Sequence, residues 1–150
     1  MEIERKFLIA SLPEKLWEYP VWLLEQAYLC RRPVVRVRKE ERGEKREYLL
    51  TYKSEGLMVR EEYNLPLDEE AYEHLKKKAD GRVITKRRYR LPAENGLVIE
   101  LDVFEGELAG LLLAEVEFPD EETARDWQPP EWFDREVTYE ETYHNSNLSL

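Results

Sequence analysis

Apolar and polar residues alternate with a period of two along most of the chain, as in strands with one buried face. Turn signals at Pro13, Pro20, Pro33, Gly43, Gly56, Pro66, Gly81, Asn95-Gly96, Gly106, Gly110 and Pro119 cut this pattern into short pieces. Strands are predicted over 1–9, 22–30, 34–40, 46–54, 57–65, 82–91, 97–104 and 111–118. Three stretches read as helix instead. Residues 68–79 offer Asp68 as N-cap, place Ala71, Leu75 and Ala79 four apart, and carry lysines in the last turn, where the helix dipole favours them. A short helix is predicted near 13–18 and another from Asp120, with Glu121 and Glu122 in its first turn. Crossovers of helix length between successive strands are mostly missing, which disfavours a parallel sheet. The expectation is a single α+β domain over 1–150, mainly antiparallel β.

Side chains at i and i+2 of a strand share a face. Glu2, Glu4 and Lys6 lie opposite Ile3, Phe7 and Ile9; Arg36 and Arg38 oppose Val35 and Val37; Lys86, Arg88 and Arg90 oppose Val83, Tyr89 and Leu91. Glu100 and Asp102 oppose Ile99, Leu101 and Val103, and Glu115 and Glu117 oppose Ala114, Val116 and Phe118. Lys53 ends the fourth strand, and Arg60 and Glu62 share a face in the fifth. Any one of these strands fits a sheet with one solvated face. Together they are almost wholly ionic and sorted by sign within strands, an arrangement that repels itself unless a counter-ion or ligand compensates.

A sheet of eight strands can remove its edges by closing. Small barrels normally bury the apolar face inside. The inverse, an ionic lumen with helices and the aromatic stretch Trp127, Trp132 and Phe133 plating an apolar outer face, suits the clustered charge better. Carboxylates suit hard cations such as Mg²⁺ or Mn²⁺, and Arg and Lys suit phosphate oxygens. No Cys/His metal set is visible: His74 lies in the predicted helix, His144 lies far away, and each reads as a surface or packing residue. P-loop, G-x-G-x-x-G and nucleophile-elbow patterns are absent.

The chain has 150 residues, 23 Lys+Arg against 33 Asp+Glu, and a net charge of −10. That balance speaks against nucleic acid as a partner and, taken alone, against any polyanion. The predicted lumen changes the reading. Its seven acids (Glu2, Glu4, Glu62, Glu100, Asp102, Glu115, Glu117) face seven bases (Lys6, Arg36, Arg38, Lys53, Arg60, Lys86, Arg88), which places the surplus negative charge outside. A lone Cys30, no signal-peptide core in MEIERKFLIA and no long apolar run point to a cytoplasmic protein that spans no membrane. Cys30 itself reads as a small buried or edge residue.

The segment Glu2-Ile3-Glu4-Arg5-Lys6 resembles the N-terminal E-x-E-x-K signature of the CYTH superfamily, the triphosphate tunnel metalloenzymes. Further matches follow in order: Val35-Arg36-Val37-Arg38, Leu50-Thr51-Tyr52-Lys53, Arg60-Glu61-Glu62-Tyr63, Lys86-Arg87-Arg88-Tyr89, Glu100-Leu101-Asp102-Val103-Phe104 and Ala114-Glu115-Val116-Glu117-Phe118. Arg135-Glu136-Val137-Thr138 and Asn145-Ser146-Asn147-Leu148 look like the closing motifs of short bacterial members. The resemblance implies an eight-stranded closed tunnel barrel with a charged lumen that binds a triphosphate and divalent metal, two Mg²⁺ or Mn²⁺ being expected. It casts Glu2, Glu4, Glu115 and Glu117 as metal-side carboxylates and Glu62, Glu100 and Asp102 as further acidic lining. Lys6, Arg36, Arg38, Lys53, Lys86 and Arg88 become the phosphate grip, joined on its face by Arg60. Glu2, Glu4, Lys6 and Glu117 are the expected catalytic set. Two departures stand out: Asn64 follows Glu62 on its face where the family commonly has an acid, and Arg87 competes for the lumen if a bulge shifts the register.

The expected activity is metal-dependent hydrolysis of inorganic tripolyphosphate to diphosphate and phosphate, because so short a chain leaves little material for a base or thiazole pocket. Thiamine triphosphatase, class IV adenylate cyclase and a non-catalytic polyphosphate-binding module are the alternatives. A monomer or homodimer is expected, with a small-molecule triphosphate as partner.

Overall fold

The computed structural model describes residues 1–150. Ten strands and three α-helices follow in the order β1 (Glu2–Ile9), β2 (Val21–Arg31), β3 (Val34–Arg42), β4 (Lys45–Lys53), β5 (Val59–Arg60), β6 (Glu62–Leu67), α1 (Glu69–Lys76), β7 (Ile84–Pro92), β8 (Val98–Phe104), β9 (Leu112–Glu117), α2 (Glu121–Asp126), β10 (Phe133–Glu136) and α3 (Asn145–Leu148). The strands pair in the order β10-β1-β9-β8-β7-β2-β3-β4-β6, each antiparallel to its neighbour, and β5 pairs back onto β1. Because β5 and β6 are consecutive parts of one stretch, this last pairing draws the sheet into a barrel with eight staves.

The predicted fifth strand, 57–65, is therefore two. Val59–Arg60 lies on β1, with Arg60 opposite Glu2, and Glu62–Leu67 lies on β4, with Glu62 opposite Lys53. β10 was not legible in the alternation; it takes the part of the β1 edge that β5 leaves, with Phe7 opposite Glu136 and Ile9 opposite Phe133. The stretch near 13–18 forms only a 3-10 turn over Leu16–Glu18. The other two predicted helices form where their caps stand: Asp68 accepts a hydrogen bond from Ala71 N at 2.7 Å and Asp120 from Thr123 N at 2.7 Å. α1 ends at Lys76, three residues before the predicted 79, and α3 adds a turn that the sequence pattern did not show.

The apolar face is outside and covered. Phe7, Leu101, Ala114, Val116 and Phe118 pack under Ala124 of α2, Trp127 and Phe133, with the Phe7 and Phe133 rings 5.0 Å apart. On the other flank Tyr72 of α1, fully buried, packs on Ala27 and Val37. The lumen is charged as expected, and one end of it is closed by apolar side chains. Tyr28, Val34, Ile84, Phe104 and Leu113 share the parity of the ionic residues, yet they fill one end of the barrel with Val137 and Leu148 of α3. Arg31 and Arg82 hold that covering segment by donating to Ser146 O at 2.8 Å and Leu148 O at 2.9 Å. No helix is long and apolar enough to cross a membrane.

Candidate active site

Strand register decides which charges meet. Across β1 and β9, Glu4 faces Glu117 and Lys6 faces Glu115; across β8, Glu100 faces Glu115; across β7, Arg88 faces Asp102. Across β3 and β4, Arg36 faces Thr51. A slip of one residue anywhere would turn these groups outward. The resulting cavity is lined by seven carboxylates (Glu2, Glu4, Glu40, Glu62, Glu100, Glu115, Glu117) and six basic side chains (Lys6, Arg36, Arg38, Lys53, Arg60, Arg88), with Trp22, Tyr28, Val34, His144, Asn145 and Ser146. Two predicted site residues, Lys86 and Asp102, do not line it. They lie behind the wall, where Asp102 accepts from Arg88 at 2.7 and 2.9 Å and pairs with Lys86 Nζ at 2.7 Å.

Lys53 and Arg60 each bridge two carboxylates, while Lys6 and Arg38 each meet one, and most of these contacts are long. Lys53 Nζ lies 3.0 Å from Glu2 and 3.7 Å from Glu62; Arg60 lies 3.7 Å from Glu2 and 3.6 Å from Glu4; Lys6 lies 3.5 Å from Glu115; Arg38 lies 3.4 Å from Glu40. Arg36 donates to the Tyr28 hydroxyl at 3.2 Å. Pairs this loose, on side chains this buried, leave donor and acceptor capacity for a ligand.

Burial pushes the Glu2 carboxyl up to about 8, and the neighbouring Glu4 charge adds to it. Burial would also raise Glu62, but its contact with Glu2, the Lys53 ammonium and Asn64 hold it down at about 2. Burial and the surrounding cations thus push these two carboxyls in opposite directions. Glu4 and Glu117 are raised as well, first by burial and then by Glu115 and Glu62 respectively. For Glu115, burial is outweighed by Lys6 and Arg88, which hold it down. One side of the cavity therefore carries more carboxylate than its cations neutralise, and every candidate ligand atom there is oxygen. That donor set fits a hard divalent cation. No three carboxylates or imidazoles converge into a ready-made cage, which suits an ion that completes its shell with phosphate oxygens and water.

Asn64 does not supply a second acid. Its Nδ2 donates to Glu62 at 2.9 Å while Thr51 Oγ1 donates to its Oδ1 at 2.6 Å, so it braces Glu62 from the wall. Arg87 points away from the lumen, 3.7 Å from Glu105. The structure adds Glu40, which continues the Arg36 and Arg38 parity. It also adds His144, which was read as a surface or packing residue. The imidazole is buried, its Nε2 lies 3.1 Å from Thr138 O, and burial with Lys6 pushes it down to about 4. The turn that carries it has no sequence periodicity. Trp17 is exposed, whereas Trp22 lines the cavity with the Arg42 and Arg90 guanidiniums 4.2 and 4.8 Å from its ring.

No family model matches the chain. It is 41% identical over 150 residues to an inorganic triphosphatase of Nitrosomonas europaea, covering 99% of this chain and 97% of the relative. It is 36% identical over 148 residues to an inorganic triphosphatase of Acetivibrio thermocellus, with 98% and 92% covered. Among solved structures, inorganic triphosphatase NE1496 superposes with a TM-score of 0.70 at 39% identity, covering 100% of this chain and 95% of that one. A Hippeastrum protein described as a putative adenylyl cyclase with dominant triphosphatase activity shares the fold, with a TM-score of 0.64 at 17% identity over 83% of each chain.

Proposed function

This chain belongs to the inorganic triphosphatases of the CYTH superfamily and hydrolyses a triphosphate, and we propose that its substrate is inorganic tripolyphosphate, cleaved to diphosphate and phosphate. The observation that carries the choice of substrate is the lining: only Trp22, Tyr28 and Val34 are apolar. A nucleobase or thiazole needs an apolar, aromatic slot, and the ring of Trp22 is already engaged by two guanidiniums.

In this reading Arg36, Arg38, Arg88, Lys53, Arg60 and Lys6 take the phosphate oxygens. Lys86 and Asp102 fix Arg88 from behind the wall. Glu2, Glu4, Glu62, Glu100, Glu115 and Glu117 would hold the divalent metal, which we take to be two Mg²⁺ or Mn²⁺ ions and which would supply charge neutralisation at the phosphoryl group and a more acidic water. The attacking water delivers its oxygen to the terminal phosphorus, and the bond to the bridging oxygen breaks. Glu4 and Glu117 lie opposite one another, and a carboxylate oxygen left free there accepts the water's proton. Lys6 stabilises charge developing on the phosphoryl oxygens. The lone, unpaired Cys30 supports a cytoplasmic setting.

Phosphate release from tripolyphosphate, ATP and thiamine triphosphate, each with Mg²⁺, Mn²⁺ or EDTA, tests this. Metal-dependent cleavage with kcat/KM at least ~10-fold higher for tripolyphosphate is expected, together with a loss of ~100-fold or more in Glu4→Gln. A preference for either organic triphosphate would refute the substrate assignment. Tight binding without release would make the domain a binding module.

A further inference from the structure

Gln26 sits on the lumen face of β2 between Trp22 and Tyr28, directly opposite Arg38 on β3. Its neighbours Glu25 and Ala27 face outward, Glu25 accepting from the Tyr72 hydroxyl at 2.8 Å and Ala27 packing beneath Tyr72. Gln26 is 0% exposed, and neither its amide oxygen nor its amide nitrogen has a hydrogen-bond partner. A buried primary amide with nothing to bond is costly, and natural proteins rarely retain one without a use.

The group facing it is short of a partner too. Arg38 reaches Glu40 with one terminal nitrogen at 3.4 Å, while its Nε–H is buried and unbonded. An orphaned acceptor and an orphaned donor thus lie across one ladder position, where Cα atoms stand about 4.5–5.5 Å apart. Glu40 is the one ion-pair partner of Arg38, and a phosphate in the lumen would compete for the same terminal nitrogens.

We propose that Gln26 is a positioning residue for the phosphate grip: it accepts a hydrogen bond from Arg38 Nε when the triphosphate draws Arg38 off Glu40, and so fixes the guanidinium plane for two-pronged contact with phosphate oxygens. This rests on the lumen being the triphosphate site. Gln26 touches no reacting atom and acts through Arg38.

The test is a double-mutant cycle with Gln26→Met, which keeps volume and removes both polar atoms, and Arg38→Lys, which keeps the charge and removes Nε–H. Gln26→Met is expected to melt at or above the wild-type temperature, since an unsatisfied amide is lost. Its KM for tripolyphosphate should rise ~10-fold with kcat within about twofold. In the Arg38→Lys background the same substitution should change KM less than about twofold. Unchanged KM in Gln26→Met, or full additivity in the cycle, overturns the assignment while leaving the functional reading intact. A lower melting temperature with kcat and KM both impaired would make Gln26 structural and also overturn it. Wild-type protein that neither binds nor cleaves tripolyphosphate overturns the functional reading, and this inference with it.

Discussion

Asp102 shows how a residue can sit in the right pattern and have a different task. Its parity marked it as lumen lining, but Lys86 and the fork of Arg88 consume its lone pairs, so its place is behind the grip. Asp102→Asn would leave two buried cations short of a counter-charge. We expect a loss of about 3 kcal/mol or more in urea denaturation, with activity impaired through Arg88; unchanged stability would mean that the cluster is not coupled. Glu2 makes the other residue-scale prediction. A carboxyl raised to about 8 holds a proton that the unfolded chain has released, so its contribution to stability falls as pH rises from about 4.5 to 8. His144 acts oppositely, since a group lowered to about 4 gives stability that grows until about pH 6.5. Between pH 6.5 and 8 the raised carboxyls dominate, opposed only toward pH 8 by Lys86, which burial lowers to about 8. Metal-free protein should lose on the order of 2 kcal/mol over that window, less in Glu2→Gln. An equal slope in the variant would show that Glu2 is not the group.

At the level of elements, most strands were legible because their apolar face packs under helices and aromatic plating, which keeps the period of two strict. The break between β5 and β6 was not, because Arg60 and Glu62 keep the same parity through it and only the partner strand changes. β10 and α3 are four residues each, too short for periodicity, and α3 matters to the site because it brings His144, Asn145 and Ser146 to the cavity. The cap residues were reliable guides to α1 and α2, since their chemistry is local. α1 lies on the outer face, so its packing should govern stability and leave the chemistry alone. Tyr72→Ala removes a fully buried ring and should lower unfolding free energy by about 3–5 kcal/mol, with kcat within about twofold of wild type at 10 °C below the variant's Tm. A large fall in kcat there would show that α1 sets lumen geometry.

For the whole molecule, the net charge of −10 describes the outer surface. The lumen, with seven carboxylates and six basic side chains, is close to balance; one of the seven predicted on each side, Asp102 and Lys86, withdraws behind the wall, and Glu40 enters. Face-sorting made the charge census legible because a strand has only two faces. It could not see that one end of the lumen is apolar, since Tyr28, Val34, Ile84, Phe104 and Leu113 share the lumen parity and differ only in height along the barrel. The central claim is that this paired ionic lumen becomes a hydrolytic site when divalent metal joins the carboxylates. Phosphorus NMR of tripolyphosphate incubated with the protein reads it most directly. With Mg²⁺ or Mn²⁺ the account predicts loss of the triphosphate signals and growth of diphosphate and phosphate in equal amounts, with no change in EDTA. Tripolyphosphate that persists in the presence of metal, or cleavage that continues undiminished in EDTA, would contradict it.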